Sequence, residues 1–237
     1  GIGIYHLIFP VFALCISLSA AGIETSLSRL TARYTSLGRP ELAKVSFQMA
    51  LLLSAGLSLI CTALIQIFAH DIAVSALGDV RCEPLLKVMS YALPFASVHS
   101  CICGYSLGLK QTRIPGISQL AEQCARVLGV YLLYTAAIQE SGQAGIILAV
   151  CGLVIGEIAG AFYSIFAVRR ILYTKKAAQK CSVSCYAGCL GDILKHAVPI
   201  TANRISLNIL QSIVVVSIPK CLMLYGFSRS AALSHYG

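Results

Sequence analysis

Residues 45–69 read VSFQMALLLSAGLSLICTALIQIFA and contain no charged residue. Because an α-helix needs about 20 apolar residues to cross the roughly 30 Å hydrocarbon core of a bilayer, this run predicts a membrane-spanning helix. Five further stretches are long and apolar enough to span, at 4–27, 86–109, 117–138, 143–168 and 193–218. The sequence therefore predicts an all-α, polytopic membrane helix bundle with about six spans.

The composition excludes a water-soluble globular protein, since 57% of the residues are apolar and 11% are charged, against roughly 25% charged in soluble domains. Several of the 11 cysteines lie inside apolar runs, which indicates small buried side chains rather than a secreted disulfide scaffold. The chain begins at Gly1 without a signal-peptide pattern. We therefore interpret residues 1–237 as a single membrane domain that is a fragment of a longer protein.

The net charge of +9 would favour nucleic-acid binding in a soluble protein, but here the charges follow the loops. The cations concentrate in the first, third and fifth loops between predicted spans: Arg29, Arg33, Arg39, Lys44, Lys110, Arg113, Arg169, Arg170, Lys175, Lys176 and Lys180. By the positive-inside rule these loops are cytoplasmic and residue 1 lies outside. We expect a multi-pass protein of the cytoplasmic membrane that contacts membrane lipids and does not bind nucleic acid.

Ionisable residues inside a span are the best indicators of function, because each costs roughly 2.5–3.5 kcal/mol in the membrane without a partner. In the fourth span, Glu122 and Arg126 are spaced i, i+4 with the acid first, which predicts an ion pair on one helix face. The pair is interpreted either as a device that makes insertion tolerable or as part of a cavity lining.

The fifth span combines a packing motif with an isolated acid. Gly152, Gly156 and Gly160 repeat every fourth residue, a pattern that lets a neighbouring helix approach closely. Glu157 lies beside this stripe without a cation in its own helical turn. It is predicted to be protonated, paired with another helix or hydrated, and it is the candidate for cation coupling.

The sixth span is the most polar, with Asn203, Arg204, Asn208 and Gln211. Arg204, Asn208 and Gln211 share one helix face, which must point toward protein or water. The planar guanidinium of Arg204 suits a phosphate-bearing ligand. The alternative is that Arg204 pairs with Glu122 or Glu157 from another span.

Arg29, at the inner end of the first span, either reaches the lipid headgroups or stands at the mouth of a cavity that attracts an anion. Cys181, Cys185 and Cys189 recur every fourth residue, but metal sites favour tighter pairs such as C-x-x-C. The sequence also contains neither H-E-x-x-H nor a Walker phosphate loop. We therefore predict no catalytic residue, no metal site, no cofactor and no enzymatic activity.

Several short motifs resemble one known family in their order and spacing. They are Gly3-Ile4-Tyr5 before Pro10, Ala21-Gly22 before Ser28-Arg29-Leu30, Ser118-Gln119 before Glu122-Gln123 and Arg126, Gly156-Glu157, the stretch 197–204, Asn208 to Ser212, and Ile218-Pro219. The chain resembles the stage V sporulation protein B and polysaccharide biosynthesis protein family of the multidrug, oligosaccharidyl-lipid and polysaccharide exporter superfamily. The resemblance covers essentially the whole chain.

This resemblance implies a transporter of about fourteen helices in two lobes around a central cavity, of which the chain would hold helices two to seven, without helix one and most of the second lobe. It implies a flippase for an undecaprenyl-linked saccharide, such as a peptidoglycan precursor, with substrate contacts at Arg29, Glu122, Arg126, Asn203, Arg204, Asn208 and Gln211. Many relatives carry an acid where this chain has Val214, which puts a coupling role at that position in doubt.

Two other functions remain open at this point. The first is a cation-coupled multidrug exporter of the same superfamily, with Glu157 as the coupling acid. The second is a membrane scaffold that recruits cell-wall synthesis enzymes through the basic loop 169–180, in cell-wall or spore-envelope assembly.

Overall fold

A computed structural model describes residues 2–137, 145–174 and 183–224, and every regular element in these ranges is helical. The elements are α1 (Ile2–Ile16), a π-helical segment (Ser17–Ala21), α2 (Gly22–Ser36), α3 (Pro40–Asp71), a second π-helical segment (Ile72–Ala76), α4 (Cys82–Ser90), α5 (Ala92–Gly108), α6 (Arg113–Ala137), α7 (Gly145–Thr174) and α8 (Val183–Leu224).

The described parts of the predicted spans lie within these helices, apart from Tyr91 and Leu109 in turns, which confirms the all-α membrane bundle. Four helical stretches are both long and apolar enough to cross a membrane: Leu7–Ser36, Pro40–Ser75, Cys82–Gly108 and Ile147–Arg169. The helices α6 and α8, which contain the fourth and sixth predicted spans, are not among these four. They carry Glu122 and Arg126, and Asn203, Arg204 and Asn208.

Short turns with left-handed backbone separate several helices. Gly38 has φ of 69° and is followed closely by Pro40 in the first turn of α3, where the missing N–H of proline costs nothing. Gly78 has φ of 69° and Lys110 has φ of 61°. Each of these turns links two helices within a few residues.

The interior consists of two apolar clusters with a polar layer between them. One cluster joins α1, α4 and α7 to the end of α3, and the other joins α2, α5 and α8 to the start of α3. Between them, Ser54 Oγ donates to the carbonyl of Ser19 at 2.6 Å, and Ser97 Oγ donates to Ser58 Oγ at 3.0 Å. Such bonds are needed because buried polar groups without partners are costly in lipid.

Glycines set the spacing between several helices. A Cβ on Gly104 of α5 would lie 2.6 Å from the Glu24 carbonyl oxygen of α2, and a Cβ on Gly152 of α7 would lie 2.2 Å from Val130 Cγ2 of α6. The outward surfaces of α3, α6 and α7 expose large apolar side chains, including Ile67, Val127 and Phe162. These faces match the hydrocarbon of a bilayer.

Candidate functional site

A main cavity of about 610 Å³ lies between α1, α6, α7 and α8. Its polar lining consists of Ser17, Arg126, Glu157, Asn203, Arg204 and Asn208. The rest of the wall is apolar and includes Phe12, Leu153 and Leu207. The volume falls in the roughly 300–1,000 Å³ range of small-molecule sites, which also combine apolar walls with a few polar groups.

A second cavity of about 380 Å³ adjoins the main one, since Ile16 and Glu157 line both. Its polar lining consists of Glu24, His99, Ser100, Cys103, Gln119, Glu122 and Glu157. Both cavities occur in the polar layer between the two apolar clusters. Membrane transporters commonly bind substrates and coupling ions in polar cavities between helices.

A cluster of four ionisable residues separates the two cavities. Arg126 Nη2 donates to Glu122 Oε1 at 2.5 Å and lies 3.7 Å from Glu157 Oε1. His99 Nδ1 lies 3.7 Å from Glu122 Oε2. Glu122 and Glu157 are 8% and 9% exposed, so Arg126 compensates two nearly buried carboxylates at once.

His99 has a defined orientation in this cluster. Its Nε2 lies 2.9 Å from Ser118 Oγ, and the Ser118 hydroxyl donates to the Pro115 carbonyl at 2.9 Å. A hydroxyl has one proton, and Ser118 gives its proton to the Pro115 carbonyl. Both hydrogen bonds therefore form together when the Nε2–H group of His99 donates to Ser118 Oγ. In the neutral ring, Nδ1 then directs a lone pair toward Glu122.

The glycine stripe of α7 lets this cluster assemble. A Cβ on Gly156 would lie 3.0 Å from the Glu122 carbonyl oxygen and 3.2 Å from Arg126 Nε, and a Cβ on Gly160 would lie 3.1 Å from His99 Cε1. The absence of side chains at these positions allows α5 and α6 to bring their charged groups directly against α7.

The π-helical segment Ser17–Ala21 forms part of the main cavity wall. Asn208 Nδ2 of α8 donates to Ser17 Oγ at 2.6 Å and to the Ala13 carbonyl at 3.3 Å. Ser54 satisfies the Ser19 carbonyl from α3. A π-helical turn frees backbone groups from the regular helical pattern, and the side chains of neighbouring helices bond to them here.

Arg204 lies on the open side of the main cavity and is exposed. Among the described residues, the Arg204 guanidinium forms no ion pair with Glu122 or Glu157, taking 4.0 Å between nitrogen and oxygen as the limit. The Glu24 carboxylate of α2 attracts Arg204 electrostatically across the helix interface. Arg204 is therefore available to a ligand in the cavity.

Residues 1–222 match the family model described as polysaccharide biosynthesis protein. The chain belongs to this family. It is 26% identical over 239 residues to stage V sporulation protein B of Bacillus subtilis (strain 168), and the alignment covers 100% of the chain and 46% of that protein. The chain thus spans about half the length of this curated relative. No solved structure matches it.

These comparisons confirm the resemblance stated from the motifs, and the chain is a bacterial multi-pass membrane protein. Within this member of the polysaccharide biosynthesis protein family, the structure brings five of the predicted site residues to the main cavity: Arg126, Glu157, Asn203, Arg204 and Asn208. Glu122 lines the second cavity. Arg29 and Gln211 are exposed and line neither cavity.

Sequence reasoning missed Glu24, His99 and Ser118. His99 lies inside the predicted third span. Because an ionisable group in the membrane is costly, its position there indicated that it has a functional or structural partner. Glu24 was obscured by its position near the polar end of the first predicted span. Neither Glu24 nor His99 has a charged neighbour one helical turn away that would have indicated its partner.

Two sequence patterns resemble parts of enzyme or metal sites. Gly104-Tyr105-Ser106-Leu107-Gly108 has the G-x-S-x-G spacing of a nucleophile elbow, but it lies inside α5 with Ser106 fully buried, not at a strand-to-helix turn. In the cysteine repeat, Cys189 is buried, while Cys181 lies outside the described residues.

Proposed function

We propose that this chain forms one lobe of a flippase that moves an undecaprenyl-linked saccharide, specifically a peptidoglycan precursor, from the cytoplasmic to the outer leaflet. The observation that carries the proposal is the main cavity, where Arg126 of α6 and Arg204 of α8 meet the amides of Asn203 and Asn208. Two cations from different helices and two amides match a ligand with a charged phosphate end and a hydroxyl-rich end.

The guanidinium groups are suited to the pyrophosphate of such a lipid. Arginine remains charged at all physiological pH values, and its planar fork donates two parallel hydrogen bonds to phosphate oxygens. The Asn203 amide both donates and accepts, as sugar hydroxyls require, while the amide N–H groups of Asn208 already donate to Ser17 and Ala13. Transport involves no covalent change in this scheme.

The exposed position of Arg204 supports a second lobe facing this one. A charge directed into lipid is costly, whereas a charge directed into a water-filled cavity between lobes is not. The curated relative is about twice as long as the chain, which leaves enough residues for an opposite wall. Rocking of the two lobes would expose the cavity alternately to each side.

The loop charges support an orientation with the first, third and fifth loops in the cytoplasm, and with six spans in this lobe. In that orientation, an anionic lipid moves outward with the electrical potential of the cell. Each elementary charge that crosses the full field contributes roughly 2.3 kcal/mol per 100 mV, so the membrane potential drives the flip of a charged headgroup.

The test is transport by the full-length protein in liposomes that contain a fluorescent undecaprenyl-pyrophosphate saccharide, with an impermeant quencher outside. Wild-type protein should flip the lipid, and Arg204→Ala should reduce the rate at least tenfold. Lys195→Ala is the matched control, because Lys195 is an exposed cation of the same helix that lines neither cavity; it should flip at the wild-type rate.

Two other results would overturn the proposal in different directions. If the protein moves a cationic drug against a proton gradient and leaves the lipid-linked saccharide in place, the chain is part of a multidrug exporter with Glu157 as its coupling acid. If nothing moves but cell-wall synthesis enzymes co-purify with the protein, the chain is part of a scaffold. The loop proposed to recruit them includes residues 175–180, outside the described residues.

A further inference from the structure

The cluster of His99, Glu122, Arg126 and Glu157 has an unbalanced charge. Glu122 and Glu157 share one nitrogen of Arg126, at 2.5 Å and 3.7 Å. With a neutral His99 and both acids ionised, the cluster carries one net negative charge. A nearly buried net charge in a membrane protein is costly, so the cluster is stabilised by one additional positive charge.

The arrangement has a place for that charge. One ligand atom from each of His99, Glu122 and Glu157 lies within 4.8 Å of the others, and the bond from His99 Nε2 to Ser118 leaves Nδ1 as an acceptor facing Glu122. The positive charge of Arg126 already lies beside both carboxylates, and it would repel a divalent cation at the same place. A proton adds one charge and needs no extra space.

Arg126 connects this cluster to the main cavity. Its guanidinium contacts the carboxylates on one side and lines the main cavity on the other, and its Nε is buried without a hydrogen-bond partner. The side chain therefore has donors that the carboxylates do not use. An anion in the main cavity competes with Glu122 and Glu157 for the same guanidinium.

Other charged groups around the two cavities do not replace Arg126. The ionisable groups that line them are Glu24 of α2, His99 and Cys103 of α5, Glu122 and Arg126 of α6, Glu157 of α7 and Arg204 of α8. Among the elements that pack against α7, α4 contributes no lining residue to either cavity. The lining residues of α1 and its π-helical segment are apolar except Ser17. Arg204, the second cation, forms no ion pair with the described residues of this cluster and interacts electrostatically with Glu24.

We infer that His99, Glu122 and Glu157 form a binding site for one proton, which is coupled through Arg126 to anion binding in the main cavity. This inference rests on the proposed function, because it requires that an anion binds Arg126. When the anion draws the guanidinium away, the carboxylates lose their compensating charge. They then take up a proton from solvent, and no other bond is made or broken.

Coupling of this kind is reciprocal. If the anion raises the affinity of the cluster for a proton, a bound proton raises the affinity of the cavity for the anion by the same factor. Anion binding is therefore tighter at low pH, where the proton is present, and weakens as the pH rises through the titration of the cluster. With one coupled proton, the limit is roughly a tenfold increase in Kd per pH unit.

The experiment measures sulfate binding to the full-length protein in detergent by calorimetry, from pH 5.5 to 8.5, with choline as the only added cation. Sulfate is the probe because its own charge does not change in this range, unlike that of pyrophosphate. Measurements in two buffers with different ionisation enthalpies give the number of protons taken up per sulfate bound. We expect net uptake, and a Kd that rises at least fivefold across the range.

Glu157→Gln should remove at least half of the proton uptake and flatten the pH dependence, because it removes one of the two competing carboxylates. Glu41→Gln is the control, since Glu41 lies in the first turn of α3 and lines neither cavity; its profile should match that of wild type. The wild-type profile decides the question by itself if the Glu157 variant does not fold.

The outcomes separate this inference from the proposed function. Sulfate binding with a constant Kd and no proton uptake overturns the proton site and leaves the anion cavity intact. Sulfate binding that depends on sodium instead of pH overturns the assignment of the cation as a proton. Failure of sulfate to bind at any pH contradicts the anion cavity itself, and with it both proposals.

Discussion

Gly104→Ala tests how tightly α5 must pack against α2. The added Cβ would lie 2.6 Å from the Glu24 carbonyl oxygen and 3.2 Å from its carbonyl carbon, whereas ordinary contacts begin at 3.4 Å. Both atoms belong to the backbone, so no side-chain rotation relieves the overlap. The two helices must separate at the position where Glu24 and His99 line the second cavity.

The expected cost follows from two opposing effects. Overpacking of a close contact costs about 1–3 kcal/mol, while replacing glycine with alanine in a helix stabilises by up to about 1 kcal/mol. We therefore expect the free energy of unfolding to fall by about 1–2 kcal/mol. Gly56→Ala is the matched control, because a Cβ on Gly56 in α3 would have no atom within 4 Å. It should be neutral or slightly stabilising.

The assay is unfolding of the full-length protein by sodium dodecyl sulfate in mixed micelles, followed by far-UV circular dichroism. The difference between the two alanine variants isolates the steric contribution, since both gain the same helix propensity. Gly104→Ala should also slow transport, because it displaces the walls of the second cavity. Equal unfolding free energies for the two variants would refute the close approach of α2 and α5.

Three further predictions concern other contacts and the orientation. Tyr34→Phe removes the hydroxyl that donates to the Asp192 carboxylate of α8 at 2.7 Å. The same unfolding titration should show that the free energy of unfolding falls by about 1 kcal/mol; an unchanged free energy would contradict this link between α2 and α8. Asn208→Ala removes the amide that donates to Ser17 and should cost a similar amount; unchanged stability would mean that α8 does not depend on this tether. The orientation is tested by labelling single cysteines with impermeant maleimide in a cysteine-free, full-length background. Arg39→Cys should react only after the cell is opened, whereas Val80→Cys should react in intact cells. The reverse pattern would show that the first loop lies outside the cell.

The sequence predicted the features that depend on local spacing. The all-α membrane bundle followed from uncharged runs such as 45–69, and the ion pair of Glu122 with Arg126 followed from an i, i+4 spacing that any helix brings together. The family followed from ordered motifs along the chain. Each of these signals lies within one helix or in the order of helices, so no knowledge of how helices face each other was needed.

The remaining features depend on which helix faces meet, and the sequence does not specify this. The two alternatives for Arg204 illustrate the difficulty, because the partner depends on the depth and rotation of α8. In the structure, a Cβ on Gly22 would overlap Thr201, so α8 lies directly against α2, and Arg204 interacts electrostatically with Glu24. The role of His99 was missed for the same reason, since its partners Glu122 and Ser118 come from α6.

Site-specific photocrosslinking tests the central claim, that the main cavity holds the headgroup of a lipid-linked saccharide. Leu207 and Leu210 of α8 are similarly exposed, at 57% and 60%, but only Leu207 lines the main cavity. In the full-length protein, a photoreactive phenylalanine at position 207 should crosslink to the headgroup of an undecaprenyl-pyrophosphate saccharide, and excess pyrophosphate should suppress the product. The same group at position 210 should give little product. Equal crosslinking from both positions, insensitive to pyrophosphate, would contradict the account.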